Sequence, residues 1–229
     1  MQQYFIQEEI NGNDVPLNEE ILHHMKVVLR KSDGYKFRLC DVKGQAFLAE
    51  LKDDKAFILE RLEDDKELPI KVTVVMSLIK NERFDFCLQK LTELGVYQIV
   101  PYMANRSIIK IKDAEHKLKR YRKIVQEAAE QSLRTSVPYI PEIIDQKGLA
   151  NYLSTYNYVA YEKNDDRYIP YADLENDVTI IIGPEGGFEE KEIEAFKALG
   201  FQAISLGKRI LRAETAALYV MANIAGANE

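Results

Sequence analysis

Residues 180–188 read Ile-Ile-Ile-Gly-Pro-Glu-Gly-Gly-Phe, and residues 205–217 read Ser-Leu-Gly-Lys-Arg-Ile-Leu-Arg-Ala-Glu-Thr-Ala-Ala. In each segment an apolar run stops at a glycine and continues into a helical pattern. A buried parallel strand delivers its carboxyl end to a ligand-binding crevice in this way. A lone glycine-rich turn is more often structural than functional, but two matched turns with charged residues favour a binding site.

The two segments resemble the C-terminal signature of the RsmE family, the SPOUT methyltransferases that methylate N3 of a uridine in 16S ribosomal RNA. In that family, strands ending in I-G-P-E-G-G-F and L-G-x-R-I-L-R-x-E-T-A form the S-adenosylmethionine pocket. Both patterns recur here in the same order. The resemblance implies an α/β fold, with a SPOUT-type trefoil-knotted parallel sheet preceded by an N-terminal PUA-like β-barrel. It also implies a homodimer.

The resemblance implies a cofactor site at the two turns and at the end of the strand before them. The expected cofactor-binding residues are Tyr161, Glu162, Gly183, Pro184, Glu185, Gly186, Gly187, Leu206, Gly207, Ile210, Leu211 and Thr215. Arg106, Arg134 and Glu214 are the expected catalytic residues. Either arginine could stabilise charge on the uracil, while Glu185 and Glu214 could each act as a base or simply pair with an arginine.

Methyl transfer to uracil N3 sets physical requirements for such a site. The nucleophile, the methyl carbon and the sulfur must lie in line, so positioning supplies much of the rate. N3 bears a proton, and its attack is helped if that proton leaves or if a cation stabilises charge on O2 and O4. Because N3 lies on the pairing edge, the uridine must be unpaired or flipped out. A basic RNA-binding surface beside the pocket is therefore expected.

The charge distribution is compatible with such a surface. The chain has a net charge of -6, which argues against an indiscriminate nucleic-acid binder. Residues 105–125 nevertheless hold eight basic residues against two acidic ones, a local balance of +6. Such a run is usually a solvated face, but it can also neutralise phosphates. The predicted RNA contacts are Lys110, Lys112, Lys119, Arg122 and, near the pocket, Arg212, with 16S ribosomal RNA or the small ribosomal subunit as partner.

Composition bounds the remaining possibilities. Hydrophobic residues make up 46% and charged residues 30% of the chain, as in ordinary soluble proteins. No apolar run reaches the roughly 18 residues of a membrane span, and residues 1–5 lack a signal-peptide pattern, so a cytoplasmic location is expected. Cys40 and Cys87 are predicted to be buried, reduced thiols. The three histidines have no ligand spacing, and no metal site is expected.

The pattern along the chain predicts two domains, residues 1–69 and residues 70–229. The first has short strands and one helix, which Asn18 could cap, and the acidic stretch 62–69 is its linker. By pattern alone, a structural barrel fits as well as an RNA-binding one. Gln3 stands where the family often has arginine, and His24 is more often packed than catalytic at such a position. In the second domain, strand and helix patterns alternate, and Gly95 is expected to end a helix.

Two other functions fit parts of the sequence. A non-catalytic RNA-binding or assembly factor would keep the barrel and the basic residues but would not bind S-adenosylmethionine. A different nucleotide-dependent α/β enzyme is disfavoured, because the sequence lacks both G-x-x-x-x-G-K-[ST] and G-x-G-x-x-G.

Overall fold

The computed structural model describes residues 1–63, 66–107, 113–163 and 168–228, which form two units. Unit 1 consists of residues 1–67 and 129–136, and unit 2 of residues 68–128 and 137–229. The domains predicted from the sequence place residues 129–136 in the second domain. In the structure they belong to unit 1, where the Gln3 side chain donates to the Arg134 carbonyl (2.6 Å) and Glu67 accepts from the Thr135 amide (3.0 Å).

Unit 1 is built on a five-stranded sheet with the order β1-β3-β4-β5-β2. Its elements are β1 (Gln3–Phe5), β2 (Asp14–Pro16), α1 (Glu19–His23), β3 (Lys36–Cys40), β4 (Ala46–Lys52) and β5 (Lys55–Leu62). β1 pairs with β3 in parallel, and the other pairs are antiparallel. Asp53 and Asp54 join β4 to β5 with φ of 49° and 62°, the left-handed conformation that tight hairpin turns require.

The helix of unit 1 begins as the sequence predicts. The Asn18 side chain accepts a hydrogen bond from the Ile21 amide at 2.8 Å, which satisfies an N-terminal donor. A π-helical turn, His24–Val28, follows α1. The His24 ring lies 2.9 Å from the Tyr4 hydroxyl, so this histidine has a hydrogen-bonding partner within unit 1.

Unit 2 is an α/β unit around a parallel sheet with the order β10-β8-β9-β6-β7. Its elements are β6 (Val72–Ser77), α2 (Asn81–Glu93), β7 (Gln98–Tyr102), α3 (Ala114–Gln131, whose last residues belong to unit 1), β8 (Tyr156–Ala160), β9 (Val178–Ile182), α4 (Glu190–Ala198), β10 (Gln202–Ile204) and α5 (Ala213–Asn228). A short 3-10 helix, Gln146–Tyr152, precedes β8.

Helices cover both faces of this sheet, which explains why its central strands are continuous apolar runs. Every residue of β6 and β9 is buried. Ile180 and Ile182 pack in one core cluster with residues of α2, α3 and α5, whereas Ile181 packs with Phe196 of α4 in the other. Gly95 follows α2 with φ of 89°, as predicted for a helix C-terminus.

The described residues contain no helix long and apolar enough to cross a membrane. Both cysteines are buried thiols that form no disulfide, as predicted. Burial raises the pKa of the Cys87 thiol to about 12, with a smaller contribution from the Glu214 charge, so this thiol stays protonated at neutral pH.

Candidate functional site

The candidate site lies where three neighbouring parallel strands end. β10, β8 and β9 are adjacent in the sheet, and because they run in the same direction their carboxyl ends share one edge. Open α/β sheets bind ligands at this edge. The segments that follow these strands, 160–162, 182–188 and 205–211, enclose a cavity of about 370 Å³. Ligand pockets usually measure ~300–1,000 Å³.

Eleven of the twelve predicted cofactor-binding residues line this cavity. They are Tyr161, Glu162, Gly183, Pro184, Glu185, Gly186, Gly187, Leu206, Gly207, Ile210 and Leu211. Thr215 is exposed on α5 and is not among the lining residues of the described chain. Eleven predicted residues thus lie together around one cavity, and the contact of Thr215 with a cofactor stays a prediction.

Eight further residues line the cavity without having been predicted from the sequence. They are Ala160, Ile182, Phe188, Ser205, Lys208, Arg209, Ala213 and Ala216. Most of them adjoin a predicted residue, so the strand ends seen in the sequence already indicated where they lie. Ala213 and Ala216 are spaced by three on α5, and the small size of both residues leaves room for the cavity beside that helix.

Two glycines give the pocket backbone a shape that other residues rarely adopt. Gly187 has φ of 65°, and a Cβ atom there would lie 3.2 Å from the Glu162 carboxylate. Gly207 has φ of 109°. Both values lie in the left-handed region that favours glycine. The turn after β9, residues 183–188, is called the β9 turn, and the glycine at 187 lets it approach the Glu162 carboxylate closely.

Arg106 lies beside the β9 turn, on the loop after β7. Its guanidinium donates to the Gly186 carbonyl at 3.1 Å, and a Cβ at Gly186 would lie 3.3 Å from the Arg106 Cβ. The buried Glu192 fixes this loop by accepting from the Asn105 amide (3.0 Å) and from the Glu189 amide (2.9 Å). The structure therefore brings predicted catalytic residue Arg106 to the pocket segment.

Glu185 and Glu214 share a cation that the sequence did not single out. Arg83 of α2 lies 3.5 Å from a Glu185 oxygen and 3.8 Å from a Glu214 oxygen. Of the two alternatives left open by the sequence, base or arginine partner, the geometry provides each carboxylate with an arginine partner.

Arg134 is placed differently from Arg106. It belongs to unit 1, and its side chain is 3% exposed. Its guanidinium donates to the Glu67 carboxylate, which also accepts from the Thr135 and Ser136 amides at 3.0 and 3.1 Å. These contacts account for Arg134 as a structural cation inside unit 1.

The predicted RNA-binding residues that the structure describes are exposed. Lys119 and Arg122 lie on α3, and Arg212 directly precedes α5. Arg122 also donates to the Ile140 carbonyl at 3.1 Å. Lys110 and Lys112 lie outside the described residues. Among the described residues, no cluster of three or more histidine, cysteine or acidic side chains could hold a metal ion.

Comparison with known proteins identifies close relatives over nearly the whole chain. Residues 66–225 match the model of the RNA methyltransferase domain family. The chain is 34% identical to ribosomal RNA small subunit methyltransferase E of Mesomycoplasma hyopneumoniae, covering 96% of this chain and 97% of that one. The Bacillus subtilis protein of the same name is 33% identical, with 98% and 96% covered.

A solved structure agrees with these relatives. It is that of ribosomal RNA small subunit methyltransferase E from Neisseria gonorrhoeae bound to S-adenosyl methionine. It superposes with a TM-score of 0.86 at 33% identity, covering 97% of this chain and 95% of the other. The likeness therefore extends over both units of the chain.

Proposed function

Because this chain belongs to the ribosomal RNA small subunit methyltransferase E family, we propose that it methylates N3 of a specific uridine in 16S ribosomal RNA, with S-adenosylmethionine as methyl donor. The observation that carries the proposal is the cavity at the ends of β8, β9 and β10, lined by eleven residues predicted to bind the cofactor.

The cavity fits S-adenosylmethionine in size and chemistry. Its volume of about 370 Å³ suits a nucleoside-sized ligand. Apolar side chains such as Ile182, Leu206 and Leu211 can cover an adenine ring, while the backbone groups of the glycine turns can hydrogen-bond to its edge. The Glu162 carboxylate can attract the positive charges of the ligand. When bound, the cofactor supplies an activated methyl group on a sulfonium.

Arg106 is the residue that we propose to act on the uracil. Its side chain is 52% exposed, and the Gly186 carbonyl and Glu192 network hold its loop beside the β9 turn. A guanidinium there can stabilise negative charge on O2 or O4 while N3 loses its proton. We do not assign this role to Arg134, which is buried against Glu67. Glu214 remains a candidate for shaping the site through Arg83.

The RNA-binding surface that we propose includes the exposed basic residues of α3 together with Arg212. Lys119 and Arg122 are its described members on α3, and Lys110 and Lys112 are further members by sequence. Cations in the first half of a helix oppose its macrodipole, so local stability does not explain them. Contacts with RNA phosphates would account for these cations.

We also propose the finer features implied by the family. The parallel sheet of unit 2 would be a trefoil-knotted SPOUT domain, and unit 1 a PUA-like β-barrel that helps to hold RNA. The alanine-rich α5 would pass through the knot and meet a second copy of the chain in a homodimer. Because ribosomal subunits are its proposed substrate, we also propose that the enzyme acts in the cytoplasm.

The direct test has two steps. Isothermal titration with S-adenosylmethionine should give a defined affinity for the purified protein. Labelled methyl groups should then be transferred to small ribosomal subunits from cells that lack this protein, and nucleoside analysis should place the label on uridine N3. No binding would favour a non-catalytic RNA-binding factor, and binding with transfer to another atom would refute the proposed reaction.

A further inference from the structure

Arg83 occupies a position that helix stability does not explain. It is the third residue of α2, which begins at Asn81. The N-terminal turn of a helix carries partial positive charge, so a cation there is unfavourable. An interaction outside the helix should therefore account for this arginine.

The partners of Arg83 come from two different segments of the pocket. Glu185 belongs to the β9 turn, and Glu214 belongs to the first turn of α5. Arg83 lies 3.5 Å from the first carboxylate and 3.8 Å from the second. The residues next to these two carboxylates, Gly186 and Ala213, both line the cavity. A single guanidinium thus connects the two walls that the glycine-rich signatures form.

The three charged side chains of this connection are partly shielded from solvent. The side chains of Arg83, Glu185 and Glu214 are 37%, 27% and 14% exposed. Within the described residues, Glu214 Oε2 is buried and accepts no hydrogen bond, so the charge of Glu214 depends on Arg83 for compensation. Without Arg83 the two carboxylates would repel each other, and the wall segments would tend to separate.

We propose that Arg83 is a positioning residue of the cofactor pocket, holding the β9 turn and the start of α5 at the separation that S-adenosylmethionine binding requires. This inference rests on the proposed function, because it concerns the same pocket. Arg83 acts through Glu185 and Glu214 and touches neither substrate nor cofactor. Arg83 is not part of either glycine-rich signature, because it lies on α2, far before both segments in the chain.

The inference is tested by isothermal titration of S-adenosylmethionine into the wild type and into Arg83→Gln. The dissociation constant should rise by about threefold to tenfold, as expected for the loss of two partly exposed ion pairs. Arg83→Lys keeps the charge and should recover part of the affinity, although it lacks the planar fork. Lys90→Gln is the matched control, because Lys90 lies on the same helix with 35% exposure and pairs with Glu93 instead of a pocket residue.

A double-mutant cycle separates positioning from general destabilisation. If Arg83 acts through Glu214, Arg83→Gln should weaken binding less in a Glu214→Gln background than in the wild type. A merely structural role would lower the melting temperature of every variant without this coupling. Wild-type affinity in Arg83→Gln, or an equal loss in Lys90→Gln, would overturn the inference and leave the proposed function intact. Failure of the wild type to bind would overturn both.

Discussion

At the scale of single residues, a substitution at Gly207 tests the effect of backbone conformation without the effect of side-chain bulk. Its φ is 109°, yet a Cβ atom there would meet no atom within 4 Å. Gly207→Ala therefore adds strain without a clash, at a cost of about 1–3 kcal/mol. The loop can relieve that strain by moving away from the pocket shape. We expect weaker S-adenosylmethionine binding by titration, together with a lower melting temperature.

Gly12→Ala is the matched control for this prediction. A Cβ at Gly12 also meets nothing within 4 Å, but Gly12 does not have the left-handed φ of Gly207. Alanine should be neutral or slightly stabilising there, since it restricts the unfolded chain. If both variants bind the cofactor equally well, the conformation of Gly207 is not required by the pocket.

At the scale of elements, Glu67 ties the segment 129–136 into unit 1. Burial alone would raise the pKa of this carboxyl, but hydrogen bonds and charge from Arg134, with hydrogen bonds from Ser136, outweigh burial and lower it. A depressed folded pKa contributes stability that is present above the unfolded pKa and is lost as the pH falls through the folded value. The contribution should therefore fade as the pH falls below the ordinary value of 4.5.

Urea unfolding of Glu67→Gln checks this prediction. The variant should be less stable than the wild type at neutral pH, and the difference should shrink below pH 4.5. Glu63→Gln is the control, because Glu63 is exposed on the same stretch of chain. A stability difference that does not change with pH would show that the Glu67 charge is not the cause.

The elements also show what the sequence can reveal. The periodicity of α2 and the buried run of β9 are local patterns, and they predicted both elements and the turns that line the cavity. The pairing of Arg134 with Glu67, and of Arg83 with Glu185 and Glu214, joins residues far apart in the chain. No local pattern encodes such pairs. The sequence alone therefore predicts Arg134 as a catalytic residue and assigns Arg83 no role in the site.

At the scale of the whole molecule, an acidic protein must bind a polyanion. The net charge is -6, so RNA binding depends on where the positive charges lie. Several basic residues of the window 105–125 have acidic neighbours, such as Arg120 with Asp85 and Arg122 with Glu142. Lys119 has no ion pair within the described part of the chain. Neighbouring carboxylates thus reduce the local field that the sequence count implies.

The salt dependence of RNA binding tests this surface. Each phosphate contact releases counterions, so log affinity for single-stranded RNA falls with log salt at a slope of about -0.7 per contact. The double variant Lys119→Gln, Arg122→Gln should bind 16S ribosomal RNA more weakly and with a shallower slope, while its affinity for S-adenosylmethionine stays the same. Lys197→Gln, an exposed lysine of α4, should leave the slope unchanged. Lys197→Gln removes a positive charge from α4 without changing the proposed surface. Equal slopes in the wild type, the double variant and Lys197→Gln would mean that the basic residues of α3 face solvent and do not contact phosphate.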